Sequence, residues 1–285
     1  MTIISRGGNM TQYQGSEKQV ASGDRFAFGA NWSRFLKTLN DDRILQAETS
    51  LKEMLETQDL TGRSFLDIGS GSGLSSLAAR RLGARVHSFD YDPQSVACTK
   101  ELKRRYFPDD ELWRIELGSI LDDRYVSSLG KWDIVYSWGV LHHTGDLWKA
   151  MEHAVSLVDK GGSVFIAIYN DQGYLSSRWA RLKYLYNKKP WTRPILLAYG
   201  LVHFWGRTFL KEFIALRPFE TWKAHYKNRG MSAWHDLVDW MGGWPYEVAT
   251  PDAVFHFCRD RGFTLRRLVT RQGIGNNEFV FVRNA

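Results

Sequence analysis

A glycine-rich turn preceded by an acid is the part of this sequence best suited to chemistry. Gly69, Gly71 and Gly73 alternate with serines, among them Ser70, and Asp67 stands two residues before the first glycine. Glycine lets the backbone turn tightly and approach a ligand closely. A turn that opens a helix also presents free N–H groups to an electron-rich ligand. The segment therefore predicts a ligand-binding turn between a strand and a helix.

The spacing of the glycines separates this turn from that of dinucleotide-binding enzymes. The pattern G-x-G-x-x-G would need a glycine at position 74 if Gly69 is the first, and that residue is Leu74. A second acid, Asp90, ends the next predicted strand 17 residues after Gly73. A carboxylate there can accept hydrogen bonds from both hydroxyls of a ribose. Tyr91, beside it, can lay its ring against adenine.

Polar and aromatic residues at the ends of two later strands are candidates for catalysis. His142 and His143 follow the fourth predicted strand, and a neutral imidazole near pH 7 suits a general base. A structural role for both histidines is the alternative, and His143 is preferred because it lies nearer the next predicted helix. Tyr169 and Asn170 end the fifth strand, where open α/β sheets bind ligands. We expect Tyr169 to take part in catalysis and Asn170 to contact the acceptor.

Alternating strands and helices between residues 63 and 169 must position these groups. Strands are predicted over 64–68, 85–90, 112–117, 132–137 and 163–169. Asp92-Pro93 is a typical helix start. Asp146–Val158 reads as a helix closed by Lys160-Gly161-Gly162. This alternation favours a parallel sheet with right-handed crossovers, completed by a helix and two strands after Pro251.

The rest of the chain divides into terminal and inserted segments. We expect a flexible segment over 1–23, a helical cap over 24–60, the sheet domain over 61–170 and 251–285, and a basic, aromatic helical insertion over 171–250. In the cap, Trp32, Phe35, Leu36 and Leu39 recur with helical spacing. Asp41 and Asp42 are expected to cap a second helix.

Three motifs together resemble those of class I S-adenosylmethionine-dependent methyltransferases. They are D-I-G-S-G-S-G at 67–73, F-D-Y-D at 89–92 and D-I-V-Y-S-W-G-V-L-H-H at 133–143. The pattern is most similar to the branch of ubiquinone- and menaquinone-biosynthesis enzymes and related small-molecule methyltransferases. The resemblance covers about residues 60–170, with weaker support over 251–282. It implies a doubly wound, mostly parallel sheet of seven strands, with N-terminal helices and a helical insertion after the fifth strand.

The resemblance also implies a cofactor and its binding residues. The cofactor would be S-adenosyl-L-methionine, which leaves as S-adenosyl-L-homocysteine, and no metal is expected. Asp67, Gly69, Ser70, Gly71 and Gly73 would surround its methionine part, and Asp90 would bind its ribose. Tyr91, Ser119 and Ile120 would lie beside the adenine, and Ser137 and Trp138 beside the sulfonium. Ser119 departs from the family, which usually carries an acid or amide there, so the adenine contact at this position is in doubt.

The insertion carries most of the positive charge of the chain. Between residues 170 and 230 there are twelve Lys or Arg and three Asp or Glu, in a chain whose net charge is +7. A basic, aromatic segment favours an anionic substrate, a nucleic acid or a membrane surface. The alternative is a solvated helical face whose long side chains cover apolar surface. We expect the insertion and the N-terminal helices to form a lid over a bulky, lipid-linked or sugar-bearing acceptor, with Phe28, Trp32 and Trp244 on its walls.

The cysteines and the apolar runs of the sequence bear on the cellular compartment and on membrane crossing. Two cysteines 160 residues apart favour a reducing compartment. The first twenty residues lack the apolar core of a signal peptide. The longest apolar run, Ile195–Trp205, is about half of what a bilayer crossing needs. We therefore expect a cytoplasmic protein without a transmembrane helix, in peripheral contact with a membrane or an anionic ligand through 171–230.

These observations favour methyl transfer to a small molecule, with oxygen as the preferred acceptor atom. An RNA methyltransferase is the first alternative. Against it, no RNA-binding module is recognisable, and Ser137-Trp138-Gly139-Val140 stands where many base-methylating enzymes have Asn-Pro-Pro-Tyr. A non-catalytic cofactor-binding or membrane-surface protein is the second alternative. The acceptor, the methylated atom and the oligomeric state remain open at this point.

Overall fold

A single twisted sheet forms the centre of the molecule in the computed structural model, which describes residues 15–223 and 233–284. Within these ranges the sheet has seven strands, β1 (Ser64–Ile68), β2 (Arg85–Asp90), β3 (Trp113–Leu117), β4 (Trp132–Trp138), β5 (Val158–Tyr169), β6 (Phe263–Val269) and β7 (Asn276–Arg283). Their order is β3-β2-β1-β4-β5-β7-β6. The first five strands are parallel, and β7 runs antiparallel to both its neighbours. The expected doubly wound, mostly parallel sheet is confirmed.

Helices cover both faces of the sheet and fill the expected insertion. In chain order they are α1 (Phe28–Phe35), α2 (Asp41–Leu55), α3 (Leu74–Arg81), α4 (Pro93–Tyr106), α5 (Asp123–Ser128), α6 (Leu147–Ser156), α7 (Tyr174–Lys188), α8 (Arg193–Ile214), α9 (Ala233–Gly242) and α10 (Pro251–Arg259). Of the N-terminal segment expected to be flexible, residues 15–21 are helical, and residues 1–14 lie outside the described residues.

Hydrogen bonds at the helix ends show where the local predictions were right and wrong. Asp92 caps α4 as expected, because its Oδ1 accepts the N–H of Gln94 at 2.9 Å. For α2 the cap is Asn40, whose Oδ1 accepts the N–H of Arg43. Asp41 and Asp42 occupy the first helical turn instead, where their charges favour the positive end of the helix dipole. Both positions suit an acid, so sequence alone did not distinguish them.

The boundary between α6 and β5 also differs from the prediction. The helix ends at Ser156, and Val158 already pairs with Trp132 in the sheet. Gly161 and Gly162 therefore lie inside the early part of β5 and do not cap the helix. A Cβ on Gly162 would come within 3.0 Å of backbone carbonyl oxygens on both strands, so this glycine allows the close approach at a strand irregularity.

Two apolar layers bury the two faces of the sheet. On one face, β1 and β4 pack with α6 and α10 around Leu66, Met151 and Val254. On the other, α2, α3 and α4 cover the sheet around Ile44 and Leu77. Every residue of β1 is buried, as expected for a central parallel strand covered on both sides. This rigid centre fixes the loops that follow the strands.

The insertion has an apolar core of its own and returns to the sheet at a defined point. Trp179, Leu237 and Met241 are buried together between α7, α8 and α9. After α9, the N–H of Glu247 donates to His142 O, and the Glu247 carboxylate accepts the N–H groups of Gly145 and Leu147 at 3.0 and 3.1 Å. The insertion is thereby tied to the loop after β4. Across the described ranges, no helix combines the length and apolarity needed to cross a bilayer.

Candidate functional site

A cavity of about 1250 Å³ opens at the carboxyl ends of the parallel strands. Its walls come from the glycine turn after β1, the end of β2, the loops after β3 and β4, the N-terminal segment and the insertion helices. Open α/β sheets bind ligands at this edge, where neighbouring loops diverge. The volume exceeds the range of about 300–1,000 Å³ that is typical of one drug-sized ligand. The cavity therefore has room for two molecules side by side.

The glycine turn brings backbone to the cavity wall where side chains would not fit. Gly69, Gly71 and Gly73 all have positive φ, at 77°, 56° and 83°. A Cβ on Gly69 would collide with Val140, and one on Gly73 would lie 2.9 Å from the Cα of Thr99. Glycine adopts this left-handed region without penalty. Gly69, Ser70 and Gly71 line the cavity, and Gly73 lies behind them as the N-cap residue of α3.

Two carboxyl groups stand beside the turn in different settings. Asp90 lines the cavity, and its oxygens accept the N–H groups of Gly71 at 2.9 Å and Asp92 at 2.8 Å. Burial raises the pKa of Asp90 to about 6, and these two bonds limit the rise. Asp67 accepts the hydroxyl of Ser76 at 2.5 Å, and burial raises its pKa to about 7. Asp90 keeps acceptor capacity for a ligand because each carboxylate oxygen has more than one lone pair.

The N-terminal segment folds over this part of the cavity. The N–H of Gly29, in α1, donates to Asp92 Oδ2 at 2.9 Å. A Cβ on Gly71 would touch the Trp32 indole at 3.1 Å, so Trp32 lies directly above the turn. The guanidinium of Arg25 lies 4.8 Å from the ring centre of Tyr91 and donates to His143 O at 3.2 Å. Arg25 thus joins the β2 end to the loop after β4.

A row of aromatic rings from four parts of the chain forms the middle of the cavity wall. Phe28 lies 5.0 Å from His143, His143 lies 5.4 Å from Tyr169, and Tyr169 lies 5.5 Å from Trp240, measured between ring centres. All four residues line the cavity. They come from α1, the loop after β4, the end of β5 and α9. The row connects α1 to the insertion through direct ring contacts.

His143 is held as a neutral imidazole. Its Nδ1 lies 2.5 Å from Pro245 O, and a carbonyl can only accept, so Nδ1 carries the proton and Nε2 is an acceptor. Burial lowers the pKa of His143 to about 3, with Lys183 and Arg25 acting in the same direction and the hydrogen bond to Pro245 O opposing it. The ring is therefore uncharged at any physiological pH.

The insertion contributes acids to the cavity, although its overall charge is basic. Asp236 and Asp239 of α9 line the wall, and Asp239 Oδ1 is buried without a hydrogen-bond partner. Burial raises the pKa of Asp239 to about 7, with Asp236 acting in the same direction. Behind them Lys183 is fully buried, donates to Trp240 O and lies 4.2 Å from the Trp240 ring centre. Burial lowers the pKa of Lys183 to about 7.

The charged lining differs from that expected for an anionic acceptor. Among the described lining residues, Arg25 and Arg271 are the arginines, and neither belongs to the insertion. The acids outnumber them: Asp67, Asp90, Asp92, Asp236, Asp239 and Glu278. The basic side chains of 171–223 face elsewhere, so the expectation of an anionic acceptor finds no support in the cavity.

The structure brings most, but not all, of the sequence-predicted site residues to the cavity. Those that line it are Asp67, Gly69, Ser70, Gly71, Asp90, Tyr91, Ser119, Ile120, Trp138, His143, Tyr169, Phe28 and Trp32. Those that do not are Gly73, Ser137, His142, Asn170 and Trp244. The second group lies behind the wall or beside it, and each has an identifiable structural contact.

The residues outside the wall are occupied by the fold itself. Ser137 is fully buried and donates to Ile68 O at 3.1 Å. His142 is fully buried, and its Nδ1 accepts the N–H of Tyr169 at 3.3 Å. The amide of Asn170 donates to Arg271 O and Gly273 O. The Trp244 ring packs on Tyr184, 5.4 Å between ring centres. These side chains position the loops around the cavity and do not face it.

Three residues at or beside the cavity were missed from the sequence. Asp239 lies three residues after Asp236, so the two share a helical face, and that spacing was visible in the sequence. Arg25 and Lys183 carried no such pattern. Each acquires its place through contacts with residues more than fifty positions away, namely His143 for Arg25 and Trp240 for Lys183.

A model of a known protein family matches most of the chain. The sequence pattern of a family described as a methyltransferase domain matches residues 39–224. The ribosomal protein L11 methyltransferase of Helicobacter hepaticus is 30% identical over 135 residues, which is 43% of this chain and 41% of that protein. Its counterpart from Methylococcus capsulatus is 47% identical over 68 residues, or 24% of this chain and 22% of that protein. The chain thus spans less than half the length of these curated relatives.

Solved structures share the fold at low sequence identity. Magnesium protoporphyrin IX methyltransferase from Synechocystis, with bound SAH, has a TM-score of 0.51 and 16% identity, covering 85% of this chain and 83% of that one. An O-methyltransferase family protein from Burkholderia thailandensis has a TM-score of 0.54 and 14% identity, covering 97% and 69%. These similarities concern the fold as a whole.

Proposed function

The chain belongs to the methyltransferase-domain family, whose members of this fold are the class I S-adenosylmethionine-dependent enzymes, and we propose that it methylates a hydroxyl oxygen of a bulky aromatic small molecule. One observation carries the proposal. A single cavity of about 1250 Å³ joins the glycine turn to the aromatic wall of the insertion. Donor and acceptor molecules can therefore lie next to each other, which methyl transfer requires.

The residues present fit S-adenosylmethionine. The turn offers backbone at positions where a Cβ would clash, and the helix dipole of α3 begins there. Asp90 has acceptor capacity for ribose hydroxyls, and the Tyr91 ring lies at the same end of the cavity. In this proposal Asp67, Gly69, Ser70 and Gly71 hold the methionine part of the cofactor.

The remaining contacts complete the cofactor seat in the proposal. Ser119 and Ile120 border the adenine, and Trp138 borders the sulfonium. Gly73, Ser137 and His142 act behind the wall, by shaping the turn and the ends of β4 and β5. S-adenosylmethionine supplies a methyl group that its positive sulfur already activates, so the protein's task is alignment and exclusion of water.

The acceptor is placed against the aromatic row. Phe28, Tyr169 and Trp240 offer ring faces and edges to a flat apolar molecule, and Trp32 closes the cofactor side. His143 Nε2 accepts the hydrogen bond of the acceptor hydroxyl and orients its oxygen. As the O–C bond forms and the S–C bond breaks, the hydroxyl proton becomes strongly acidic, so Nε2 can take it up despite the low pKa of His143 and pass it to solvent. A phenol, whose hydroxyl is already acidic, suits this weak base best. The excess of carboxyl groups favours an acceptor that is not anionic.

A nitrogen acceptor is the second candidate, and Asp239 favours it. Asp239 lines a cavity rich in aromatic rings, and its buried Oδ1 has no hydrogen-bond partner. A carboxylate together with aromatic faces recognises amines. Asp239 would then bind the amine, and the unprotonated amine would accept the methyl group.

The test is a transfer assay with methyl-labelled S-adenosylmethionine and a panel of phenols, catechols and aromatic amines. We expect label on a phenolic oxygen, with the rate strongly reduced by His143→Asn. Asp123→Ala, which changes an exposed carboxylate at the start of α5, serves as the matched control and should leave the rate unchanged. Label on amines alone would contradict oxygen transfer and support the second candidate. No transfer to any aromatic acceptor would contradict both.

A further inference from the structure

We propose that the outer face of α8 and the turn that follows it bind the surface of an anionic lipid bilayer. This surface lies outside the cavity. We call it the α8 tip face and define it as Trp191, which directly precedes the helix, together with Ile195, Val202, Leu210, Phe213, Ile214 and Leu216. It depends on neither the cofactor nor the acceptor proposed above.

The exposure of the α8 tip face is exceptional within the molecule. Its seven large apolar side chains are each 62–87% exposed. In the rest of the described chain, only Leu45 and Tyr174 among the large apolar residues exceed 60%. Scattered exposed apolar residues are normal in soluble proteins, but a contiguous cluster marks an interaction surface.

Helical periodicity shows that the exposure belongs to one side of α8. Ile195, Val202 and Phe213 are seven and eleven residues apart, close to two and three full helical turns, so they share a face. Toward the middle of the helix, the opposite face packs on the protein. There, a Cβ on Gly200 would lie 2.9 Å from Leu237 of α9, and Phe204 lines the cavity. The helix is therefore held by its inner face with its apolar outer face unused.

The chain after α8 folds back onto the end of the helix, and this fixes the position of the exposed apolar residues there. The buried Glu212 carboxylate accepts the N–H of Thr221 at 2.7 Å. Phe209 packs against Phe219 and Trp222 at 5.2 and 5.5 Å between ring centres. These contacts bring residues 216–223 against the last turns of the helix. Leu216, with φ of 58°, sits at the turn and is the most exposed of the seven.

Basic residues border the apolar face and indicate its partner. Arg217, next to Leu216, and Lys223 are exposed at the end of this face, and Arg207 and Lys211 are exposed on the other side of the helix. The acids of the same stretch are Glu212, which is buried, and Glu220. Exposed apolar groups flanked by Lys and Arg fit a headgroup layer, where the rings and alkyl chains enter and the charges meet lipid phosphates. A second copy of this chain would place these positive charges against each other, which disfavours self-association.

Membrane contact here has a geometric consequence for the cavity. Phe204 and Thr208 of the same helix line the cavity, while Val202 and Leu210 belong to the outer face. A bilayer on the tip would therefore lie one helix thickness, about 10 Å, from the cavity wall.

The experiment is co-sedimentation of the full chain with vesicles, without cofactor or acceptor. Vesicles of phosphatidylglycerol and phosphatidylcholine are compared with pure phosphatidylcholine, at low and high salt. We expect binding to the anionic vesicles, weakened by salt. Phe213→Ser should weaken it about tenfold or more, since one buried aromatic side chain is lost. Leu45→Ser, on a distant exposed apolar residue, is the matched control and should bind like the unchanged chain.

Charge is tested separately. Arg217→Glu should weaken binding to anionic vesicles more than Lys160→Glu does, since Arg217 adjoins Leu216 of the face and Lys160 is exposed near the start of β5. Circular dichroism melting of each variant verifies folding. Absence of sedimentation with anionic vesicles would overturn the proposal, as would equal binding by Phe213→Ser. So would concentration-dependent dimerisation that Phe213→Ser abolishes in a chain that does not bind vesicles.

Discussion

The two halves of the cavity are built in different ways. The cofactor half is local, because Asp67 to Gly73 form one continuous turn and Asp90 stands at the end of the neighbouring strand. The acceptor half is assembled from residues far apart in sequence, where Phe28, His143, Tyr169 and Trp240 meet only through the tertiary fold. The first half can hold one kind of molecule in many proteins of this family. In our proposal the second half selects the acceptor, because such sites differ among proteins that share a fold.

The sharpest separation of the two halves is expected from Asp90→Ala. Loss of the carboxylate removes the acceptor for both ribose hydroxyls, and each charge-assisted hydrogen bond contributes roughly 1.5–3 kcal/mol. Affinity for S-adenosylhomocysteine should fall about a hundredfold or more, as measured by calorimetry. Asp123→Ala is the control. An unchanged affinity in folded Asp90→Ala would mean that the ribose lies elsewhere.

His143→Asn tests the acceptor half by itself. The rate of transfer should fall about a hundredfold, a typical loss for a positioned proton-transfer group, while the affinity for S-adenosylhomocysteine stays the same. His256→Asn, which changes an exposed histidine of α10, should leave both unchanged. A parallel loss of rate and cofactor affinity would show that His143 supports the whole cavity and not the acceptor alone.

The independence of the insertion core can be tested with Trp179→Ala. Its side chain is 1% exposed, and truncation of such a core residue costs roughly 3–5 kcal/mol. We expect the insertion to become sensitive to protease while S-adenosylhomocysteine still binds. Cofactor affinity lost together with protease resistance would mean that the two halves fold as one unit.

The pH dependence of cofactor binding should follow Asp90. Burial raises the pKa of Asp90 to about 6, so the carboxylate is ionised above that pH and protonated below it. The protonated form loses an acceptor site, and affinity for S-adenosylhomocysteine should fall about tenfold between pH 7 and pH 5. The Asp90→Asn variant should show much less of this change. A wild-type affinity that rises on acidification would contradict the assignment.

The smallest expected effect distinguishes oxygen from nitrogen acceptors. Burial raises the pKa of Asp239 to about 7, whereas His143 stays neutral across the physiological range. With a phenol oriented by His143, kcat/KM should change only a few-fold between pH 6 and pH 8, and Asp239→Asn should leave the profile nearly unaltered. A steep rise through pH 7 that disappears in Asp239→Asn would shift the active role to Asp239.

The difference between the halves also explains what could be predicted from the sequence. The glycine turn, Asp90 and the cap of α4 by Asp92 follow from short-range patterns with one structural solution, and they were predicted. Asn170 and Trp244 were predicted to face the acceptor. In the structure the Asn170 amide donates to two loop carbonyls, and the Trp244 ring packs on Tyr184. A polar residue at a strand end, or an aromatic residue, can equally well bind a ligand or hold the fold together, and the sequence pattern is the same in both cases. Only long-range contacts decide between them.

The charge of the insertion shows the same limit. Its basic composition favoured an anionic partner, yet α9 turns Asp236 and Asp239 into the cavity and α8 presents its basic residues outward. The composition describes the net charge of the insertion as a whole, whereas the charged residues that α9 contributes to the cavity are acids. The direction in which each helix faces depends on which residues its neighbours bury, and that information is spread over the whole chain.

The most direct measurement is a calorimetric titration of the full chain with S-adenosylhomocysteine, followed by a structure of the complex. The account predicts one molecule per chain, with its ribose on Asp90, its amino-acid part along Gly69–Gly71, and open space between its sulfur and Tyr169. A complex in which the nucleoside occupies the aromatic side near Trp240, or a chain that takes up none of the compound, would contradict it.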